Sequence, residues 1–176
     1  MAARSVLQEA DIARALTRIA HEILESNRGA DGLVLLGVPT RGVTLAERLG
    51  PIISEIAGAE IPVGSLDVTL FRDDLAKHPT RTPKRTEIPD TGIDGKTVVL
   101  VDDVLFSGRS IRAALDAIQS IGRPAVIRLA ILVDRGHREV PIRPDFVGKN
   151  IPSSRQERVN VHLRELDGTD EVTIEA

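Results

Sequence analysis

Residues 98–110, VVLVDDVLFSGRS, limit the fold more than any other stretch of the chain. Val98, Val99, Leu100 and Val101 form an unbroken apolar run, the pattern of a strand covered on both faces. The run ends in Asp102 and Asp103, and Ser107, Gly108, Arg109 and Ser110 then open a helix whose apolar stripe is Ile111, Leu115 and Ile118. A buried strand feeding straight into a helix belongs to a parallel sheet joined by right-handed crossovers. The expected fold is α/β, a doubly wound, mostly parallel sheet flanked by helices.

The rest of the chain reads in the same way. Ile12, Leu16, Ile19 and Ile23 recur at helical spacing and predict a helix ending near Gly29. Residues 33–38, 61–71, 97–102 and 125–133 read as strands. Leu45, Leu49, Ile52 and Ile56 give a second helical stripe, in which Pro51 predicts a kink or split at about 3 kcal/mol. Gly122, with Pro124 beyond it, is expected to stop the helix that opens at Arg109. Residues 159–175 alternate with period two about Asp167 and Gly168, the pattern of a β-hairpin. Between strands, residues 72–96 are polar, charged and proline-containing, and structureless connections longer than about 15 residues are usually lids, binding loops or disordered segments. A chain of 176 residues fits a single domain.

Absent residue types exclude several functions. No cysteine is present, which removes disulfides, thiolate zinc sites and cysteine nucleophiles. Three Phe, without Trp or Tyr, argue against binding single strands by stacking bases. No apolar run approaches the roughly 20 residues of a membrane helix, and charges run through the first 24 residues, unlike a signal peptide. A cytoplasmic protein with no membrane partner is expected. The net charge of −3, taken alone, disfavours nucleic acid.

Ligands of doubly wound sheets bind beyond the carboxyl ends of the strands, at the segments starting at Pro39, Arg72, Asp102 and Asp134. Backbone N–H groups at a glycine turn and a helix start cradle phosphate, and adjacent carboxylates upstream accept hydrogen bonds from two sugar hydroxyls. A ribose 5-phosphate fits that arrangement. A Walker B strand also ends in acids, but the chain contains no G-x-x-x-x-G-K-S/T loop. The acids of a receiver domain would lie near the N-terminus instead. The plain alternative is that Asp102 and Asp103 merely end a strand and Ser110 caps a helix.

Residues 98–117, VVLVDDVLFSGRSIRAALDA, resemble the PRPP-binding motif of type I phosphoribosyltransferases. With ALTRIAHEI (15–23), GVPTRGVTLAERL (37–49), GSLDVTLFRDDL (64–75) and VDRGHREVPIRPDFVGKNIPSS (133–154), the resemblance covers most of the chain. It narrows to one family, the bifunctional pyrimidine operon regulators and uracil phosphoribosyltransferases. The resemblance implies a type I phosphoribosyltransferase fold over 1–176, with a lid at about 72–96, a small hood at about 134–160 and a C-terminal β-hairpin. It implies transfer of ribose 5-phosphate from PRPP to uracil, giving UMP and pyrophosphate. Asp102 and Asp103 would hold the ribose and, with Arg41, form the catalytic set. Thr40 and Arg41 would hold pyrophosphate, and Val104, Leu105, Phe106, Ser107, Gly108, Arg109 and Ser110 would surround the phosphate. Mg²⁺ would enter with PRPP, with no protein ligand assigned. Arg72, Lys77, Arg81, Lys84 and Arg85 outnumber Asp73 and Asp74, which suits a lid closing on PRPP; an ordinary solvated loop is the alternative.

PDFVGKNIP (144–152) also resembles the hood of purine phosphoribosyltransferases. Those enzymes place an Asp inside the PRPP loop and a Lys at the hood to read the purine. Here Phe106 and Asp134 stand at those positions, so a pyrimidine is favoured, read around Phe106, Asp134, Arg135 and Val159.

From Arg135 to Arg158, six basic residues face three acids, whereas the segment from Asn160 onward is strongly acidic. The small total charge therefore hides separate blocks. The resemblance implies an RNA-binding surface at Thr17, Arg18, His21, His137, Arg138, Arg143 and Lys149. It also implies structured leader mRNA of pyrimidine genes as partner, UMP or UTP as co-regulators, and a homodimer or higher oligomer. Without the resemblance, a solvated basic face is the simpler reading. The alternatives are a uracil phosphoribosyltransferase without RNA regulation and a purine salvage enzyme.

Overall fold

A computed structural model describes residues 2–73 and 85–176. The chain runs β1 (Arg4–Gln8), α1 (Glu9–Asn27), β2 (Leu33–Gly37), α2 (Arg41–Ala57), β3 (Val63–Ser65) and a 3₁₀ turn (Thr69–Phe71). It continues through β4 (Thr97–Leu105), α3 (Arg109–Gln119), β5 (Val126–Asp134), β6 (Phe146–Asn150), β7 (Arg158–His162), the one-turn α4 (Arg164–Asp167) and β8 (Glu171–Glu175). Five strands make a parallel sheet in the order β3-β2-β4-β5-β6, and three make an antiparallel sheet in the order β1-β8-β7.

The apolar runs lack alternation because both faces of the large sheet are covered. Leu33, Leu35, Val99, Val101, Ala130 and Leu132 share one core with α1 and α2. Val34, Leu36, Val98, Leu100, Leu129 and Ile131 share the other with α3. Burying a Leu or Ile fully contributes about 2 kcal/mol, so the wholly buried Ile12, Ile19 and Ile23 fix α1 against the sheet. The Asp11 carboxylate accepts the Gln8 N–H at the helix start (2.9 Å), and Arg28 in the left-handed region ends it just before Gly29.

Several local expectations need correction. Pro51 does not split α2: Pro51 and Glu47, whose carbonyl loses its helical donor there, are both exposed, so the missing bond falls on the solvent side of the helix. Ile56 is 41% exposed, and Ile53 takes the core position in its place. The strand expected at 61–71 is only Val63–Ser65, because Asp67 accepts both the N–H (3.4 Å) and the hydroxyl (2.8 Å) of Thr69 and turns the chain. Gly122 serves close approach rather than a left-handed cap, since a Cβ there would meet Asp94 Oδ1 at 2.6 Å. The C-terminal hairpin is present, but β7 and β8 are joined through α4 rather than a tight turn, and β1 pairs with β8 as a third strand.

Candidate active site

The carboxyl ends of β2 and β4, the turn after β3 and the start of α3 enclose a cleft of about 360 Å³. Pro39 and Thr40, Asp67 to Thr69, Arg72, Asp102 to Val104 and Ser110 line it. Thr40 sits at the start of α2 and Gly108 at the start of α3, neither of them capping its helix through its own side chain, and Ser107 Oγ accepts the Arg109 N–H at 3.3 Å. Their first-turn N–H groups therefore lack intrahelical acceptors, and both helices bring positive dipole ends to the cleft.

Close packing sets these helix starts. A Cβ on Gly42 would meet the Val101 carbonyl at 2.4 Å and Asp102 Oδ1 at 3.2 Å, so only glycine lets α2 lie this near β4. Gly108 has φ +90, a conformation suited to glycine, and a Cβ there would press on Val140 at 2.9 Å. The Ser107 carbonyl accepts the Glu139 N–H (2.9 Å), joining the loop after β4 to the segment after β5.

Asp102 is 9% exposed. Burial, and then the negative charge of Asp103, push its carboxyl well above the usual range. Asp102 Oδ1 accepts the Asp103 N–H (2.9 Å), and Asp103 Oδ1 accepts the Val104 N–H (2.8 Å). Positive charge developing beside such a carboxyl favours its ionised form. Arg72 donates to the Ser110 hydroxyl (3.0 Å), tying the residue after the 3₁₀ turn to the start of α3.

The expected residues are not all brought to the cleft. Thr40, Arg72, Asp102, Asp103, Val104 and Ser110 line the cleft. The Arg41 side chain instead pairs with Asp167 (2.7 Å), and Arg109 pairs with Asp73 (2.6 Å) and Glu139 (2.9 Å). Leu105 is buried in the core, and Arg85 is exposed beside Glu87 (3.6 Å). Lys77, Arg81 and Lys84 lie outside the described residues. Asp67, Val68 and Thr69, within the 64–75 segment but given no site role by the sequence, also line the cleft; the Asp-x-Thr spacing between a strand and the polar segment is the signal for them.

Phe106 lies beneath the Arg135 guanidinium, 4.2 Å from its ring centroid, and meets His137 edge-on at 5.9 Å. Arg135 in turn donates to Ser153 Oγ, the Ser154 carbonyl and the Glu157 carbonyl, which carries the chain toward β7 and half-buried Val159. Arg138 turns inward, donating to Asp134 (2.6 Å), the Phe106 carbonyl (3.0 Å) and the Ile142 carbonyl (2.8 Å). His137 is likewise held by the Ser153 carbonyl. These two side chains brace the loop around Phe106, so the basic face is narrower than the sequence suggested.

A separate cleft is lined by Leu7, Asp11, Arg14, Ala15, Arg18, Gly148 and Lys149. Thr17, Arg18 and His21 are exposed on the outer face of α1, and Arg18 donates to the Val147 and Gly148 carbonyls of β6. Arg143 is exposed ahead of β6, and Lys149 is exposed near that strand's end. Among the described residues no helix is long and apolar enough to cross a membrane.

The family pattern described as Phosphoribosyl transferase domain matches residues 3–164. The chain is 65% identical over 181 residues to the Bifunctional protein PyrR of Leifsonia xyli, covering 99% of this chain and 98% of that one. It is 63% identical over 174 residues to the Bifunctional protein PyrR of Streptomyces coelicolor, covering 99% and 90%. Among solved structures, the hypoxanthine phosphoribosyltransferase of Trypanosoma cruzi with the product IMP superposes with a TM-score of 0.73 at 17% identity, covering 99% and 95%. A hypoxanthine-guanine phosphoribosyltransferase of Bacillus anthracis gives 0.71 at 16%, covering 98% of each chain. At such identities these two establish a shared fold and nothing about the base.

Proposed function

The chain belongs to the phosphoribosyl transferase family and, within it, to the bifunctional PyrR proteins, and from that premise we propose that it makes UMP and pyrophosphate from uracil and PRPP and also binds pyrimidine-gene mRNA. The observation that carries the catalytic half is the meeting, in one cleft, of two helix starts with the pair Asp102 and Asp103.

The ribose 5-phosphate sits on the loop from Val104 to Ser110, where the first-turn N–H groups of α3 meet it. Asp102 and Asp103 take the ribose hydroxyls, and Thr40 and Arg41 take the pyrophosphate. As the C1 bond to pyrophosphate breaks, its electron pair leaves with pyrophosphate and the ring becomes cationic, and the Asp102 and Asp103 carboxyl oxygens beside it stabilise that charge. Fixed charges of this kind act where charge develops and need little rearrangement. The Asp102 and Asp103 carboxylates are hard oxygen donors at the cleft wall, the donor class that suits Mg²⁺. Bound there with PRPP, the ion would neutralise charge on the leaving pyrophosphate. Of the lid expected at about 72–96, Arg72 lines the cleft while residues 74–84 lie outside the described residues, and the hood at about 134–160 holds the base.

Uracil is favoured because Phe106 offers an apolar ring where a purine enzyme uses a carboxylate, and Asp134 is already engaged by Arg138. Phe106, Asp134, Arg135 and Val159 shape the base site, mostly through backbone groups. Nucleotide formation from PRPP with uracil, hypoxanthine and guanine in parallel tests this. UMP from uracil alone is expected, and turnover of a purine with none of uracil would overturn it.

The regulatory half rests on the basic face of α1 and β6. Thr17, Arg18, His21, Arg143 and Lys149 contact RNA phosphates, while His137 and Arg138 act from the edge of the base site. UMP or UTP in the cleft tightens RNA binding by firming the 134–142 segment. The working unit is a cytoplasmic homodimer or higher oligomer, in which two basic faces join.

A further inference from the structure

We propose that Asp167 is a positioning residue for the pyrophosphate end of the cleft, acting through Arg41; this rests on the phosphoribosyl-transfer reading above. Arg41 is the first residue of α2 and follows directly on Thr40, which lines the cleft. Its guanidinium donates to Asp167 Oδ1 at 2.7 Å, across 126 positions of sequence.

The Asp167 carboxylate is itself fixed. Oδ2 accepts the Leu163 N–H at 2.8 Å, which leaves Oδ1 aimed at Arg41. That N–H bond, followed by the charge of Arg41, holds the Asp167 carboxyl below its usual range, so it stays ionised at neutral pH. Two turns along α2, Arg48 pairs with Glu165 and with Asp170 (2.7 Å). The β7–β8 connection is therefore fastened to α2 at two levels, and the upper one is Arg41.

An unpaired arginine at a helix start samples many rotamers, and fixing it before substrate arrives removes that ordering cost from binding. Only part of the guanidinium is used by Asp167. Among the described residues, Arg41 Nε is buried without a hydrogen-bond partner. The side chain as a whole is 34% exposed, so the guanidinium N–H groups outside the Asp167 bond and away from the buried Nε can meet an anion that arrives at the neighbouring turn.

The test compares Asp167→Asn, Asp167→Glu and Glu165→Gln in the full chain, measuring KM for PRPP, KM for uracil, kcat and Tm. Asp167→Asn keeps the shape and the Leu163 contact but weakens the hold on Arg41, so KM for PRPP rises about tenfold with KM for uracil unchanged. Asp167→Glu gives an intermediate KM for PRPP. Glu165→Gln loosens the same connection without touching Arg41, so it lowers Tm and leaves KM for PRPP alone. An unchanged KM for PRPP in Asp167→Asn, even with a lowered Tm, would overturn the proposal, as would a lowered KM, which would make Asp167 a competitor of pyrophosphate. Should Asp167→Asn fail to fold, Asp167→Glu carries the same test, with an unchanged KM as the overturning result. If the wild-type chain did not consume PRPP at all, the phosphoribosyl-transfer reading would fail first, and this inference with it.

Discussion

The cleft around Asp102 and the basic face shared by α1 and β6 are built in opposite ways. The acidic pair and the helix start of the cleft come from one continuous stretch, 102–110, held by buried backbone and close helix packing. The basic face is assembled from α1 and the end of β6, with Arg18 reaching carbonyls 129 and 130 positions away. One region holds a buried carboxyl out of water, at a cost in stability. The other leaves exposed charges in solvent, where salt screens them. Chemistry is thus concentrated where the fold is strained electrostatically, and recognition of a polyanion is spread where it is not.

If that contrast is right, substitutions should separate the two regions. The largest effect is expected from Asp103→Asn, which removes a carboxylate facing the cationic ribose and should lower kcat by about 10²–10³-fold while leaving RNA retention intact. Gly42→Ala comes next, because the added Cβ lies 2.4 Å from the Val101 carbonyl. Overpacking of this sort destabilises by about 1–3 kcal/mol, so a thermal melt should show a lowered Tm together with weaker PRPP binding. Lys149→Glu should weaken RNA binding by about tenfold and make its salt dependence shallower, with uracil turnover unchanged, as filter binding at several salt concentrations would show.

The smallest shift is a gain. Asp102 has a raised pKa in the fold, so the folded chain binds its proton more tightly than the unfolded chain does. Stability from this group is complete below the ordinary aspartate range and falls as pH rises through that range toward the raised value. Asp102→Asn should remove that fall and raise Tm at neutral pH by about 2–4 °C while still impairing turnover, read from melts across pH. A variant that lost both stability and activity would break the claim that the cleft gives up stability for chemistry.

Arg138 marks where sequence reasoning ran short. Its position among basic residues suggested a solvent-facing contact, yet three hydrogen bonds turn it onto Asp134, Phe106 and Ile142. Reversing its charge would therefore damage the base site as well as the basic face, and it cannot separate the two. The loop 98–110 was legible because strand, acids, glycine and helix start follow one another, so local rules suffice. Strands β1 and β6 were not, since RSVLQ and FVGKN each hold only two adjacent apolar residues, too few for a run or an alternation, and each gains its identity from a distant partner. The same holds for Arg41 and Asp167, whose pairing depends on how the β7–β8 connection lies on α2, and for Asp67, whose turn hid inside an apparently continuous strand.

Filter binding of the wild-type protein to a pyrimidine-operon leader RNA, with and without UMP, tests most directly whether one chain carries both regions. Retention that tightens with UMP and weakens with added salt is the predicted result. No retention, or retention indifferent to UMP, would contradict it.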